Sequence, residues 1–176
     1  MRVLRLVGGG RGVLALAVVA GSTVAATFAG AVAQPRAGSA NAVAGDATAQ
    51  VQHRQDNMKR LGDAAKAIGR YVKNEGGTAQ DVQAAARTIR EVSARIVPEL
   101  FPTGTAEGVS DSKAKPEIWR EWSRFQEDAR ALEQASAQLA QAAATGERTA
   151  IVQAFGAVGK ACSSCHDDFR VPEKKT

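Results

Sequence analysis

The stretch "VGKACSSCHDDFR", residues 158–170, decides how the fold is interpreted. It holds both cysteines of the 176-residue chain and one of its two histidines. Cys162 and Cys165 are three residues apart, and His166 follows the second cysteine directly. On an α-helix, which rises about 1.5 Å per residue, the two thiols lie roughly 4.5 Å apart along the axis, and His166 projects from the same side. The segment therefore presents two thiols and an imidazole together.

This arrangement is the one that covalent haem attachment requires. The two vinyl groups of haem accept two thiols as thioethers, and the imidazole that follows reaches the iron from one side of the ring. The sequence therefore predicts one haem c, with its iron, per chain. Cys162 and Cys165 would hold it, and His166 would bind the iron.

Three alternatives for the cysteines remain open at this point. The two thiols of an exported chain can form a disulfide. A thioredoxin-like redox pair would need a strand-to-helix setting, and the chain has no alternating strand pattern. A zinc site would need a fourth ligand beside Cys162, Cys165 and His166, which His53 or an aspartate could supply. Haem attachment is favoured because a helical setting suits it.

The rest of the chain predicts four amphipathic helices. Thr78 and Asp81 form a capping signal at the start of the second helix. The apolar stripes at three-four spacing run over residues 51–72, 82–96, 118–139 and 151–169, the last on a helix predicted over residues 147–171. Four such helices, mostly with short joins, predict an all-α fold, an antiparallel four-helix bundle. Because the stripes are rich in alanine and only 5% of the chain is aromatic, small side chains face inward. They leave space that the helices must close or that another group must fill.

The N-terminus predicts export. Residues 1–33 have a basic start, an uncharged apolar stretch and a small-x-small ending, so they are predicted to be a signal peptide cleaved after Ala33, or alternatively after Ala44. An uncleaved membrane anchor is the other interpretation of this stretch. Residues 34–46 are small and polar and predict a flexible lead-in to a domain over residues 47–176.

Export also changes how the charge is interpreted. Loss of the three arginines before Ala33 lowers the formal charge from +5 to +2. The chain has no sustained basic stripe interleaved with aromatic residues, which disfavours nucleic-acid binding. The mature protein is thus expected in the periplasm, without a membrane segment after signal cleavage.

Two residues of the first helix face the predicted haem. In an antiparallel bundle the first and fourth helices are neighbours, so His166 lies opposite the part of the first helix that carries Met58. Met58 is a candidate for the second axial ligand of the iron, or else a flexible core side chain. Arg54, one turn earlier, needs an anionic partner such as a haem propionate, unless it reaches solvent. His53 is about 140° around the helix from Met58 and is expected on the surface.

Three segments together resemble a known family. "VGKACSSCHDDFR" near the C-terminus, "RQDNMK" on the first helix and "PEIWREWSRF" opening the third resemble the class II c-type cytochromes. That family comprises cytochrome c′ and its low-spin relatives of the cytochrome c-556 type. The resemblance implies a four-helix bundle with haem on Cys162, Cys165 and His166. It also implies that Arg54 lies near the propionates and that Met58 occupies the position of the low-spin methionine ligand.

The choice within the family rests on "FPTGT" and "IWREW", which resemble the low-spin branch more closely. We therefore expect a periplasmic mono-haem cytochrome with His/Met ligation. It would be a one-electron carrier rather than an enzyme, a monomer or homodimer that exchanges electrons with periplasmic redox proteins. The alternative is a high-spin cytochrome c′, whose five-coordinate haem binds nitric oxide or carbon monoxide.

Overall fold

The computed structural model describes residues 37–172, which lie in the second of two units, residues 1–34 and 35–176. The predicted signal peptide lies outside the described residues. The helices are α1 (Ala37–Val72), α2 (Ala79–Ser93), α3 (Glu117–Arg120), α4 (Trp122–Thr145) and α5 (Arg148–Phe169), with one π-helical turn at Ile96–Leu100. Within residues 37–172, no helix is long and apolar enough to cross a membrane.

The four long helices α1, α2, α4 and α5 form the predicted all-α four-helix bundle. Helix α1 packs closely against α2, α2 against α4, and α4 against α5, whereas α1 and α5 touch only sparsely. The largest fully buried side chains come from all four helices and the segment between α2 and α4. They are Phe125, Ile68, Ile89, Leu100, Ile118, Leu139 and Ile151. The closed core therefore lies mainly among α1, α2 and α4, and the α1–α5 side stays open.

Local signals fix the ends of the helices. Thr78 and Asp81 form the predicted capping box of α2, in which the Thr78 N–H donates to Asp81 Oδ2 at 2.7 Å. Gly146 ends α4 in the left-handed conformation at φ 72°, which glycine adopts without strain. The Glu147 carboxylate then accepts hydrogen bonds from the Thr149 and Ala150 N–H groups at the start of α5. The short connection therefore makes α4 and α5 antiparallel neighbours.

The start of α1 differs from the predicted flexible lead-in over residues 34–46. Helix α1 already begins at Ala37 and continues through this segment. Alanine has the highest helix propensity of any residue, and it recurs at positions 37, 40, 42, 44 and 47. The small side chains that suggested a flexible segment thus also allow a helix.

Arg148 ties the start of α5 to the end of α1. Its Nη2 atom donates to the carbonyl oxygens of Tyr71 and Val72, both at 3.0 Å, and to Asn74 Oδ1 at 2.6 Å. The guanidinium also lies 4.8 Å from the centroid of the Tyr71 ring. A cation that binds the last carbonyls of a helix stabilises it.

We expect Arg148→Ala to lower the free energy of unfolding by about 1–2 kcal/mol, because it removes hydrogen bonds from a half-buried charged group. Urea unfolding of the holoprotein measures this change. Arg130→Ala is the control, since Arg130 is exposed on α4 and the helix propensities of arginine and alanine are close. Equal losses in the two variants would contradict the assigned role of Arg148.

Candidate haem-binding site

A cavity of about 720 Å³ opens between α1 and α5, where the two helices touch sparsely. Its volume lies within the range of about 300–1,000 Å³ that is usual for sites of organic ligands. All five residues that the sequence predicts for the site line this cavity. They are Arg54, Met58, Cys162, Cys165 and His166. The bundle thus brings together predicted residues from the first and the last helix of the chain.

Helix α5 carries the predicted attachment residues. Cys162 and Cys165 are free thiols, partly buried, and packed against the core. His166 is exposed because it faces the open cavity rather than the core. Across residues 37–172, no three His, Cys, Asp or Glu side chains are grouped to hold a metal ion, so the zinc alternative gains no support from the geometry.

The protonation of these groups follows from their surroundings. Burial raises the pKa of the Cys162 thiol. Burial, with a smaller contribution from the Asp128 carboxylate, raises the pKa of Cys165 to about 12. Both thiols are therefore neutral near pH 7. Although much of His166 is exposed, partial desolvation of its ring at the cavity wall and the charge of Arg170 lower the pKa of His166. This favours the neutral imidazole that binds metals.

Met58 faces the cavity from the other side, on α1. It is partly buried and packs against the core. His53 lies on the surface as predicted, and its Nε2 atom is 3.2 Å from Arg95 Nη2. Met58 is thus the α1 residue that can meet a haem held by α5.

Arg54 is buried, with 4% of its surface exposed, so it does not reach solvent. Its Nη1 atom donates to Thr105 Oγ1 at 2.9 Å, and Nη2 donates to Thr105 O at 2.9 Å and Ser112 Oγ at 2.8 Å. The guanidinium also lies 4.9 Å from the Phe101 ring centroid. Its hydrogen bonds within the described residues therefore go to neutral oxygens instead of the expected anion. Desolvation accordingly lowers the pKa of Arg54.

The loop whose oxygens accept hydrogen bonds from Arg54 is a part of the site that the sequence did not predict. Residues 101–116 run along one end of the cavity and line it with Phe101, Lys113 and Ala114. The sequence of this segment, with two prolines and two glycines, indicates only a loop. The inward position of Arg54 was the one signal that a buried polar partner was needed.

The arrangement suits a covalently attached haem. The cavity wall is mostly apolar, with Ile89, Ile96, Phe125, Leu132 and Val158 among its residues. Two thiols and a neutral imidazole project from one helix into this space, which is the donor set that a c-type haem uses. The residues present therefore fit the cofactor.

Comparison with known proteins gives one family. The family model described as Cytochrome C' matches residues 49–170. The cytochrome c' of Allochromatium vinosum is 36% identical over 149 residues, which cover 84% of this chain and 96% of that protein.

Two solved structures share the fold. A cytochrome c' described as having an unusual ligand-controlled dimer dissociation is 32% identical with a TM-score of 0.66, over 72% of this chain and 97% of that one. The nitric oxide complex of a mutant cytochrome c prime from Alcaligenes xylosoxidans is 26% identical with a TM-score of 0.65, over the same shares of the two chains.

These relatives correct one prediction. The expected low-spin His/Met electron carrier is wrong, because the family model and the three relatives described above are cytochromes c′, and one of these relatives is a nitric oxide complex. They agree with the alternative instead, and the cofactor is haem c, attached covalently. In the structure, Thr105 of "FPTGT" accepts a hydrogen bond from Arg54, and Trp122 of "IWREW" stacks on Phe125. The chain belongs to the cytochrome c′ family of class II c-type cytochromes.

Proposed function

We propose that the protein is an exported haem protein that binds nitric oxide or carbon monoxide at five-coordinate iron. Cys162 and Cys165 attach the haem, and His166 is the single protein ligand of the iron. Met58 lies over the opposite face without binding the metal. The observation that supports this proposal is the cavity between α1 and α5, with the attachment residues on one wall and Met58 on the other.

Each residue has a separate role in this proposal. The thioethers from Cys162 and Cys165 fix the ring against α5. His166 supplies a neutral nitrogen, consistent with its lowered pKa. The bound haem supplies the iron that takes up the gas. The apolar wall keeps water from competing for the open position, and the protein thus binds a ligand rather than catalysing a reaction.

Met58 suits a filling role better than a ligating one. It already packs against core side chains. Helices α1 and α5 have few direct contacts, because the cavity lies between them. Methionine is flexible and commonly fills irregular spaces. In this position it can yield to a small gas molecule while it restricts larger ligands.

Arg54 has hydrogen-bonding capacity left for the cofactor. A guanidinium has five N–H donors, and the hydrogen bonds to Thr105 and Ser112 use three of them. We include in the proposal that the remaining donors bind a haem propionate. A buried arginine whose partners are neutral gains most from such an anion.

The setting of the protein is part of the same proposal. Residues 1–33 direct export and are removed, so the mature protein works in the periplasm, where redox proteins can reduce its iron. The solved relative with ligand-controlled dimer dissociation supports a homodimer for this chain as well. A groove between α1 and α2 offers a surface for such a pair. It is lined by four alanines and by the charged residues Arg60, Asp63, Arg70 and Asp81.

Met58→Ala tests the proposal. Because the side chain over the open iron face is shortened, we expect carbon monoxide to associate roughly tenfold faster, which corresponds to a barrier lowered by about 1.4 kcal/mol. The oxidised spectrum should stay high-spin, as in the wild type. Flash photolysis and visible spectroscopy of the holoprotein measure both quantities.

Met58→Leu is the matched control, because leucine keeps the volume but cannot donate sulfur to iron. It should behave like the wild type in both measurements. A wild-type low-spin spectrum that becomes high-spin in both variants would contradict the proposal, since Met58 would then be an iron ligand.

A further inference from the structure

Residues 101–116, here called the brace, connect the two helices that face the cavity. On the α1 side, the Arg54 guanidinium is bound by Thr105 and Ser112, and all three residues are buried. Gln55 Nε2 adds hydrogen bonds to Asp111 O at 3.3 Å and Asp111 Oδ1 at 3.1 Å. These contacts lie one helical turn from Met58. The brace therefore holds the part of α1 that carries Met58.

On the other side, the brace binds the end of α5. The Lys115 N–H donates to Phe169 O at 3.0 Å, and the Val171 N–H donates to Lys113 O at 2.9 Å. Lys115 Nζ also donates to the carbonyl oxygens of Asp167 at 3.1 Å and Asp168 at 2.9 Å. A lysine at this position binds the last carbonyls of the helix, where a cation is favoured. The brace therefore holds the turn that follows His166.

Direct packing does little to fix the distance between these two helices. Helices α1 and α5 touch sparsely, whereas each packs closely against another helix, α2 and α4 respectively. The brace joins α1 and α5 at the end of the cavity where Arg54 and the α5 C-terminus lie. Its buried hydrogen bonds involve a charged guanidinium and are thus of the strong kind.

We propose that the brace sets the separation of α1 and α5, and through it the room between Met58 and the iron bound by His166. Ser112 and Lys115 are positioning residues in this role, since neither lines the cavity. The inference rests on the proposed function in so far as that room controls gas binding. Weakening either attachment lets α1 move away from α5 and carries Met58 off the haem.

Two holoprotein variants test the inference from opposite ends of the brace. Ser112→Ala removes a hydrogen bond to Arg54, and Lys115→Met keeps the apolar stem but removes the ammonium group. We expect carbon monoxide to associate about fivefold faster in both, as expected when one net hydrogen bond holding the closed position is lost. Haem content and helical circular dichroism should stay at the wild-type level.

The position of Met58 provides a second readout. The methyl group of Met58, labelled with ¹³C, has an NMR signal that depends on its distance from the haem iron. This signal should move in both variants. It should stay in place in the controls Thr103→Ala, an exposed brace residue, and Lys160→Met, an exposed lysine on α5.

The two readouts separate the inference from the function on which it rests. An unmoved Met58 signal in Ser112→Ala and Lys115→Met overturns the inference, whatever the wild type binds. A signal that moves, in a protein that binds no carbon monoxide, supports the inference and overturns the proposed function. A signal that moves together with faster association supports both.

Discussion

Cys162→Ser/Cys165→Ser is expected to lose covalent haem and, with it, most of the fixed tertiary packing. Without thioethers, any pigment is held by His166 alone and is extracted by acid-acetone. Without haem, the mostly apolar wall of the cavity of about 720 Å³ would face water, and exposed apolar surface is unfavourable in proportion to its area. The haem-free chain is therefore expected to lose the close packing around this cavity.

We expect the double variant to retain helical far-ultraviolet circular dichroism but to lose its near-ultraviolet signal and its cooperative thermal transition, as in a molten globule. Ser163→Ala, at the exposed position between the cysteines, is the control and should keep its haem and its transition. Pigment that resists acid-acetone in the double variant would show that another residue attaches the haem.

The second large effect is expected for His166→Gly. The thioethers should hold the haem in place, but the iron loses its protein ligand, so the reduced spectrum and carbon monoxide binding should both change. Added imidazole can enter the space left by the side chain and should restore the wild-type spectrum. This rescue separates loss of a ligand from general damage to the fold.

Glycine in a helix costs about 1 kcal/mol relative to alanine, so His166→Gly is compared with His53→Gly, which carries a similar penalty on α1. His53 lies on the surface and should leave the spectrum unchanged, with or without imidazole. A spectrum of His166→Gly that matches the wild type without imidazole would contradict the assignment of His166 to the iron.

Much of the site was predictable because its residues lie on regular helices. Cys162, Cys165 and His166 follow from the spacing of one helical segment. Met58 and Arg54 follow from the inward stripe of another, and all five residues line one cavity. Periodicity carries this information because it fixes which side chains share a face.

The brace was not predictable in the same way. Arg54 binds Thr105 and Ser112, which lie 51 and 58 residues further along the chain, in a segment without periodicity. The sequence indicates that a buried arginine needs partners but does not indicate which oxygens supply them. The early start of α1 at Ala37 was missed for another reason, since small residues suit a helix and a lead-in equally.

The low-spin prediction failed because the presence of a methionine does not determine whether it binds iron. In our proposal, the distance from Met58 to the iron depends on the separation of α1 and α5, which the hydrogen bonds of residues 101–116 help to set. The two segments on which the low-spin branch was chosen, "FPTGT" and "IWREW", make contacts with other protein side chains. Trp122, from "IWREW", stacks on Phe125 at 5.3 Å between ring centroids, and Thr105, from "FPTGT", binds Arg54.

The most direct measurement of the central claim is the visible spectrum of the reduced wild-type holoprotein before and after addition of carbon monoxide. Five-coordinate iron with an open face predicts broad high-spin bands that shift when the gas is added. Sharp low-spin bands that carbon monoxide leaves unchanged would contradict the account, because the position opposite His166 would then already be filled.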